Sequence, residues 1–186
     1  IQNRSHSAMV ENVPERSVEE VDADALLTAD AVLRALHDVK DPEIPTISVV
    51  DLGIITKVEV DAASRHIAVT MTPTFVGCPA LDYMQRDIES RLRMMKAQHV
   101  TVTVDYTTPW SSNRVTEQGR EALHKHGLAL PVKFEGEFDP EIMLNAACPF
   151  CGSTHTRLVS PFGPTLCRAF YHCQSCLQSF EQFKPV

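Results

Sequence analysis

Two C-x-x-C knuckles, Cys148-Pro149-Phe150-Cys151 and Cys173-Gln174-Ser175-Cys176, stand on either side of residues 152–172 and constrain the fold more than any other feature of the chain. Four thiolates around one ion satisfy a soft metal in a closed tetrahedral site. A structural zinc, one per chain, suits this set, and iron in a rubredoxin-like site is the alternative. The roughly 40 residues around the knuckles are too few to hold a core unaided, so the metal would supply much of their folding free energy. Thr156 to Ser160 and Leu166 to His172 alternate as short strands about a Phe162-Gly163-Pro164 turn. Residues 147–186 therefore read as a β-rich zinc ribbon. Four cysteines close the metal site, which leaves His155 and His172 as strand or surface residues.

Of the six cysteines, two remain. Cys167 falls in the ribbon hairpin, either as a small apolar core residue or as a thiol that faces the metal region without ligating it. Cys78 lies where a strand turns into a helix. Pro79 suits the first helical position, so Cys78 is expected as the N-cap and Gly77 as the hinge before it. Leu81, Met84, Ile88, Leu92 and Met95 recur at three- and four-residue spacing, the apolar stripe of a helix about four turns long. At such a helix start the dipole and the unpaired N–H groups favour thiolate, which makes Cys78 a candidate nucleophile or metal ligand. A small buried residue filling a tight corner is the alternative reading.

Residues 1–27 carry Glu11, Glu15, Glu19, Glu20, Asp22 and Asp24 with few large apolar side chains, and are expected to form a mobile acidic tail. The chain opens on Ile1, so Met9 is a candidate natural start. Residues 28–131 then read as one α+β domain. Thr28 caps a first helix whose face is Val32, Ala35, Leu36 and Val39, ending near Asp41-Pro42. Gly53 to Val60 and His66 to Thr72 alternate at period two. Ile54, Val58 and Val60 share one face of the first strand, and Ile67, Val69 and Met71 one face of the second. They form a hairpin through residues 61–65. Val100, Val102, Val104 and Tyr106 make a third strand, which follows a helical crossover and so pairs in parallel. A last helix from Thr116 to His126 stops at Gly127. The order is α-β-β-α-β-α around a small mixed three-stranded sheet. Periodicity is then lost, with Pro131, Gly136 and Pro140 marking a linker over 132–146.

A hydrophobic content of 44% supports one ordinary core plus a small satellite. The net charge of −7 argues against nucleic acid, whose phosphates need clustered Lys and Arg. No run approaches the roughly 18 apolar residues of a membrane span, and no leader is evident, so the expected location is the cytoplasm. Cysteines there serve metal or thiol chemistry rather than disulfides.

Asp41-Pro42-Glu43-Ile44-Pro45, Asp51-Leu52-Gly53-Ile54, Thr72-Pro73-Thr74-Phe75-Val76-Gly77-Cys78-Pro79-Ala80 and Pro109-Trp110 resemble the signature blocks of the metal-sulfur cluster assembly domain, a family of iron-sulfur protein maturation. The likeness covers about residues 28–131. With the ribbon and its Phe162 to Tyr171 segment added, the whole architecture is similar to the PaaD family, encoded with the phenylacetyl-CoA 1,2-epoxidase of aerobic phenylacetate breakdown. The resemblance implies a non-catalytic accessory role: maturation of the iron-sulfur cluster of the epoxidase reductase or of the di-iron site of its oxygenase. Cys78 matches the family's reactive cysteine, a transient ligand for iron or a cluster, and Cys148, Cys151, Cys173 and Cys176 match the ribbon ligands. After Trp110 the family has Thr-Thr-Asp and an aromatic residue, whereas Ser111, Ser112, Asn113 and Arg114 follow here.

Two other readings stay open. One is a scaffold that holds epoxidase components together. The other is a thiol enzyme, which needs a base near Cys78, and His66 or His99 would have to approach it in space. One thiol with carboxylates cannot hold an all-thiolate cluster, so a cluster shared in a homodimer is attractive. Topology predicts that Cys78, the Asp41–Pro45 loop with Glu43, Asp51, Thr74 and Trp110 gather at one end of the sheet.

Overall fold

The computed structural model describes residues 27–136, 139–144 and 146–185. Apart from Leu27, the acidic tail expected over residues 1–27 lies outside the described residues.

Helix α1 (Ala29–Leu36) starts where Thr28 Oγ1 accepts from Ala31 N, and it buries Val32, Ala35 and Leu36. It stops before Asp41 because His37, Asp38 and Val39 donate to carbonyls three residues back, tightening the last turn. Val39 is buried nonetheless, beyond the helix end.

Strands β1 (Ile55–Asp61) and β2 (His66–Met71) pair antiparallel, with a bulge between Ile55 and Lys57. Ile67, Val69 and Met71 all face the core, and Ile54 is buried just before β1. Helix α2 (Leu81–Met94) crosses over to β3 (His99–Val104), which pairs with β2 in parallel, so β2 is the central strand. Its stripe is Leu81, Met84, Ile88 and Leu92, while Met95 is the C-cap residue. Tyr106 was expected in β3 but is 60% exposed beyond it. Asp105 accounts for the difference: its carboxylate accepts from Thr107 N, Thr107 Oγ1 and Thr108 Oγ1, which turns the chain out of the sheet. Those bonds hold its carboxyl down at about 2.

Helix α3 (Glu117–Lys125) is capped by Thr116 and ends at Gly127, at φ +86°. It sits directly on the Asp51 backbone. A Cβ at Gly119 would lie 2.5 Å from the Asp51 carbonyl oxygen, so only glycine permits that approach.

The ribbon is a three-stranded antiparallel sheet of β4 (Thr156–Ser160), β5 (Arg168–Cys173) and β6 (Ser179–Phe183). Strand β6 was not foreseen, and it joins the two units. Phe183 belongs to the core of the first unit, where its ring meets Trp110 edge-on at 5.6 Å. In return Ala129 bridges to Gln182 and lies in the ribbon core. Gln182 is fully buried, donating to the Leu130 carbonyl and accepting from the Tyr171 hydroxyl. The segment read as a linker is tied down along the first unit. Asn113 Nδ2 donates to Phe134 O at 2.6 Å, and Phe134 N donates to Asn113 Oδ1.

Because the cores are shared, Phe183→Ala should cost about 3–5 kcal/mol, the usual loss for a buried aromatic. Trp110 is the one tryptophan of the chain, so its fluorescence reports the junction. We expect its emission to shift in this variant, and its unfolding midpoint to fall together with that of metal release.

Candidate functional site

The metal site forms at one end of the ribbon. The N–H of Gly152 donates to Cys148 O and the N–H of Cys173 to Gln178 O, and the residues after each knuckle, Gly152 and Leu177, take positive φ. The hydroxyls of Ser153 and Ser175 lie 2.8 Å apart and join the two knuckles. The Sγ atoms of Cys148, Cys151, Cys173 and Cys176 all fall within 4.8 Å of one another. Cys148 and Cys176 are 3.7 Å apart, and Cys151 and Cys173 3.6 Å. A tetrahedral zinc with sulfur ligands needs edges of about 3.8 Å, which these two pairs match, so the four thiols suit such an ion. The Cys176 N–H donates to Cys173 Sγ, which pulls that thiol well below its usual range. Neither His155 nor His172 belongs to this set.

Cys167 is remote from that metal. It precedes β5 whereas Cys173 ends it, a strand length of about 20 Å. It packs instead against the first unit's core, as does Cys78. Together they line a cavity of about 220 Å³ with Glu43, Phe75, Pro79 and the turn Gly163 to Leu166. The cavity is thus walled by both units.

Cys78 differs from its expected setting in two ways. Helix α2 begins at Leu81 with Ala80 as its N-cap residue, so Cys78 is not the cap. It lies in the preceding turn, where its N–H donates to Phe75 O and its own carbonyl accepts from Leu81 N. Burial raises the thiol's pKa above the ordinary value and outweighs the N–H of Ala80, while Cys167, Asp41 and Glu43 push it further the same way. A neutral thiol is not an activated nucleophile. His66 and His99 pair at the N-terminal ends of the parallel strands β2 and β3, with rings 6.4 Å apart, whereas Cys78 follows the C-terminal end of β2. The base that a thiol enzyme requires is not supplied by either.

Thr74 and Trp110 line a smaller adjoining cavity of about 30 Å³ with Phe75, Cys167 and Lys184. The Trp110 indole N–H donates to Leu52 O at 3.0 Å. Asp41 Oδ1 accepts from Glu43 N and Ile44 N, which shapes the loop that presents Glu43. Asp51 lines neither cavity. Its carboxylate accepts from Ser48 Oγ and Thr116 Oγ1 and meets His37 Nδ1 at 3.1 Å, tying α1 to α3. Burial of Asp51 opposes ionisation, but the bonds from Ser48 and Thr116 and the contact with His37 prevail and lower its pKa. Cys167, Phe75 and Lys184 were not foreseen as members of this site. The Phe162-to-Cys167 segment was visible as a motif, but no spacing rule attaches it to Cys78.

Residues 29–109 match the family described as iron-sulfur cluster assembly protein, and residues 139–184 match the PaaD zinc beta ribbon domain. The chain is 34% identical over 94 residues to an Fe-S protein maturation auxiliary factor of Porphyromonas gingivalis, covering 50% of this chain and 88% of that one. A solved domain of unknown function, DUF59, from Bacillus anthracis shares 28% identity over 50% of this chain and 89% of its own, with a TM-score of 0.47. The two matched segments set the class, an iron-sulfur cluster assembly domain followed by a PaaD zinc ribbon whose four cysteines the structure gathers. Over 81% of its length the chain is 32% identical to an Escherichia coli K12 protein named as one subunit of a "Putative 1,2-phenylacetyl-CoA epoxidase", covering 89% of it, and it belongs to that PaaD family. Among the described residues no helix is long and apolar enough to cross a membrane.

Because its folded pKa is depressed, Asp51 stabilises the fold above its unfolded value near 3.8 and loses that contribution as pH falls through the folded pKa. Asp51→Asn should cost about 2–4 kcal/mol at pH 7 through the broken bonds to Ser48 and Thr116. Denaturant unfolding at a series of pH values should show the gap between wild type and variant closing below about pH 4.

Proposed function

We propose that this chain is an accessory subunit of the phenylacetyl-CoA 1,2-epoxidase system that matures the iron-sulfur cluster of its reductase or the di-iron site of its oxygenase. Cys78 is the transient ligand of the iron cargo, and the ribbon holds one structural zinc through Cys148, Cys151, Cys173 and Cys176. The observation that carries the reading is the placement of Cys78. Packing does not close this half-buried thiol off, and it lines a cavity with room for a small ligand. A cysteine that only filled a corner would meet protein on all sides. The E. coli relative's name supplies the epoxidase, and the P. gingivalis relative's name supplies the maturation.

One observation favours a scaffold role as well. Phe75, Phe162 and Leu166 are 37%, 55% and 43% exposed around the cavity, and Val76 beside them is 70% exposed. An apolar rim of this kind suits contact with a partner. The two roles separate on whether Cys78 must be a thiol.

Reductase and oxygenase purified from cells carrying Cys78→Ser should show a several-fold loss of iron in one of them, while the variant itself stays folded with its zinc. Normal iron in both would leave only the scaffold. Elemental analysis of the full chain should find one zinc, lost on Cys151→Ser and retained in Cys78→Ser.

A further inference from the structure

The ribbon carries a cysteine that its own metal does not use, and the fold delivers it to the cavity of Cys78. We propose that Cys78 and Cys167 together form the cargo site, a two-thiolate seat for iron assembled only where the ribbon docks on the assembly domain. This rests on the maturation reading and deepens it by naming the second ligand.

Four observations support the pair. Both thiols line the same cavity of about 220 Å³, although they come from different units and lie far apart in sequence. The charge of Cys167 bears on Cys78, the Asp41 and Glu43 carboxylates bear on both thiols, and Glu43 lines the cavity beside them. Two cations stand close to Cys167. Arg168 follows Cys167 directly, and Lys184 donates its backbone N–H to the Cys167 carbonyl at 3.0 Å. Arg168 acts on the Cys167 thiol, and that thiol acts on Lys184. Two thiolates balance a ferrous ion or an oxidised [2Fe–2S] unit, and the further negative charge of Glu43 at the cavity is offset by Arg168, 3.9 Å away. Lastly, Arg168 Nη2 donates to Glu43 O, so the residue beside Cys167 holds the loop beside Cys78. The juxtaposition is therefore braced.

The site differs in kind from the ribbon quartet. Among the described residues, only the four ribbon cysteines form a set of three or more ligand atoms within 4.8 Å of one another. Two thiolates leave iron with open positions, which suits a ligand that must be passed on. As each iron–sulfur bond forms, the thiol proton passes to solvent, and no electron is transferred. The receiving protein's cysteines can then enter at the open positions before the donor thiolates leave.

Iron could arrive as the bare ferrous ion or as a [2Fe–2S] unit, and two arms separate these sources. Full-length protein with its ribbon zinc in place is treated anaerobically with ferrous ion alone, or with ferric ion and sulfide, which form an oxidised [2Fe–2S] unit with no further oxidant. Bound iron, acid-labile sulfide, thiolate-to-iron charge-transfer absorption and alkylation of each cysteine are then read. We expect wild type to bind iron and protect Cys78 and Cys167 together. Cys167→Ser and Cys167→Ala should each weaken binding by about 100-fold or more, since even an outer-shell change costs 10–100-fold. Zinc content should be unchanged in both, and the alanine variant, which keeps the Cβ packing against the core, separates loss of the ligand from any shift in unfolding midpoint caused by serine.

Iron binding by the Cys167 variants equal to wild type, or free alkylation of Cys167 in loaded protein, would overturn the pairing. If only Cys78→Ser then lost iron, the maturation reading would stand without this inference. Absence of iron binding in both arms would also overturn the pairing, and the iron content of the client proteins would judge the maturation reading separately.

Discussion

The contact between Phe183 and Trp110 is the constraint on which the rest of the structure depends. Trp110 is held from one side by its bond to Leu52 O and from the other by the Phe183 ring. An edge-on aromatic pair of this kind contributes about 0.5–1.5 kcal/mol beyond the area it buries. It also fixes position, because Phe183 ends β6 and so sets where the whole ribbon sheet lies. Arg168 completes the docking with a 2.9 Å bond to Glu181 and a bond to the Glu43 carbonyl. The turn carrying Cys167 is thereby set down over Cys78. Without the docked ribbon, the cavity would lack the wall formed by Gly163 to Cys167.

The ribbon thus has two ends with different chemistry. At the knuckle end, four thiols close on one another, and knuckle turns and N–H···S contacts fix their geometry. Such a site holds its metal for stability. At the docking end a single cysteine faces another unit across a cavity. Strand β5 separates the two ends, so a metal at one does not compete for the ligands of the other. A metal at the knuckles would act on the cavity only through rigidity, by holding β5 and β6 in the arrangement that lets Phe183 dock.

Much of the fold was legible in the sequence because local signals and tertiary packing agreed. Ile67, Val69 and Met71 alternate and are all buried, and Thr28 and Thr116 cap the helices their positions announce. The failures have local causes. Pro79 suggested a helix starting there with Cys78 as its cap, but the Phe75–Cys78 turn comes first and delays α2 to Leu81. Tyr106 continued the alternation of β3, but Asp105 captured the next hydroxyls and ended the strand. Strand β6, Ser-Phe-Glu-Gln-Phe, was not read as a strand, and the burial of its last residue, Phe183, comes from the other unit. Cys167 was ambiguous for the same reason: its neighbours in space lie beyond the reach of any periodicity in its own segment.

Hydrogen-bond accounting distinguishes the polar residues that look alike in sequence. Asp51 is saturated by Ser48, Thr116 and His37, and Asp41 Oδ1 is spent on two backbone N–H groups, so both carboxylates serve the fold first. Glu43 keeps an exposed carboxylate at the cavity, 3.9 Å from Arg168, and that separation leaves it free to move. The two thiols are the soft donors at that cavity. A hard cation would favour the carboxylates, whereas iron and other thiophilic metals favour the sulfurs. Among the described residues Cys167 Sγ meets only the Thr165 hydroxyl, at 3.2 Å, a weak contact that metal ligation would replace, so the chemistry of the cavity follows from how lightly the fold commits its sulfurs.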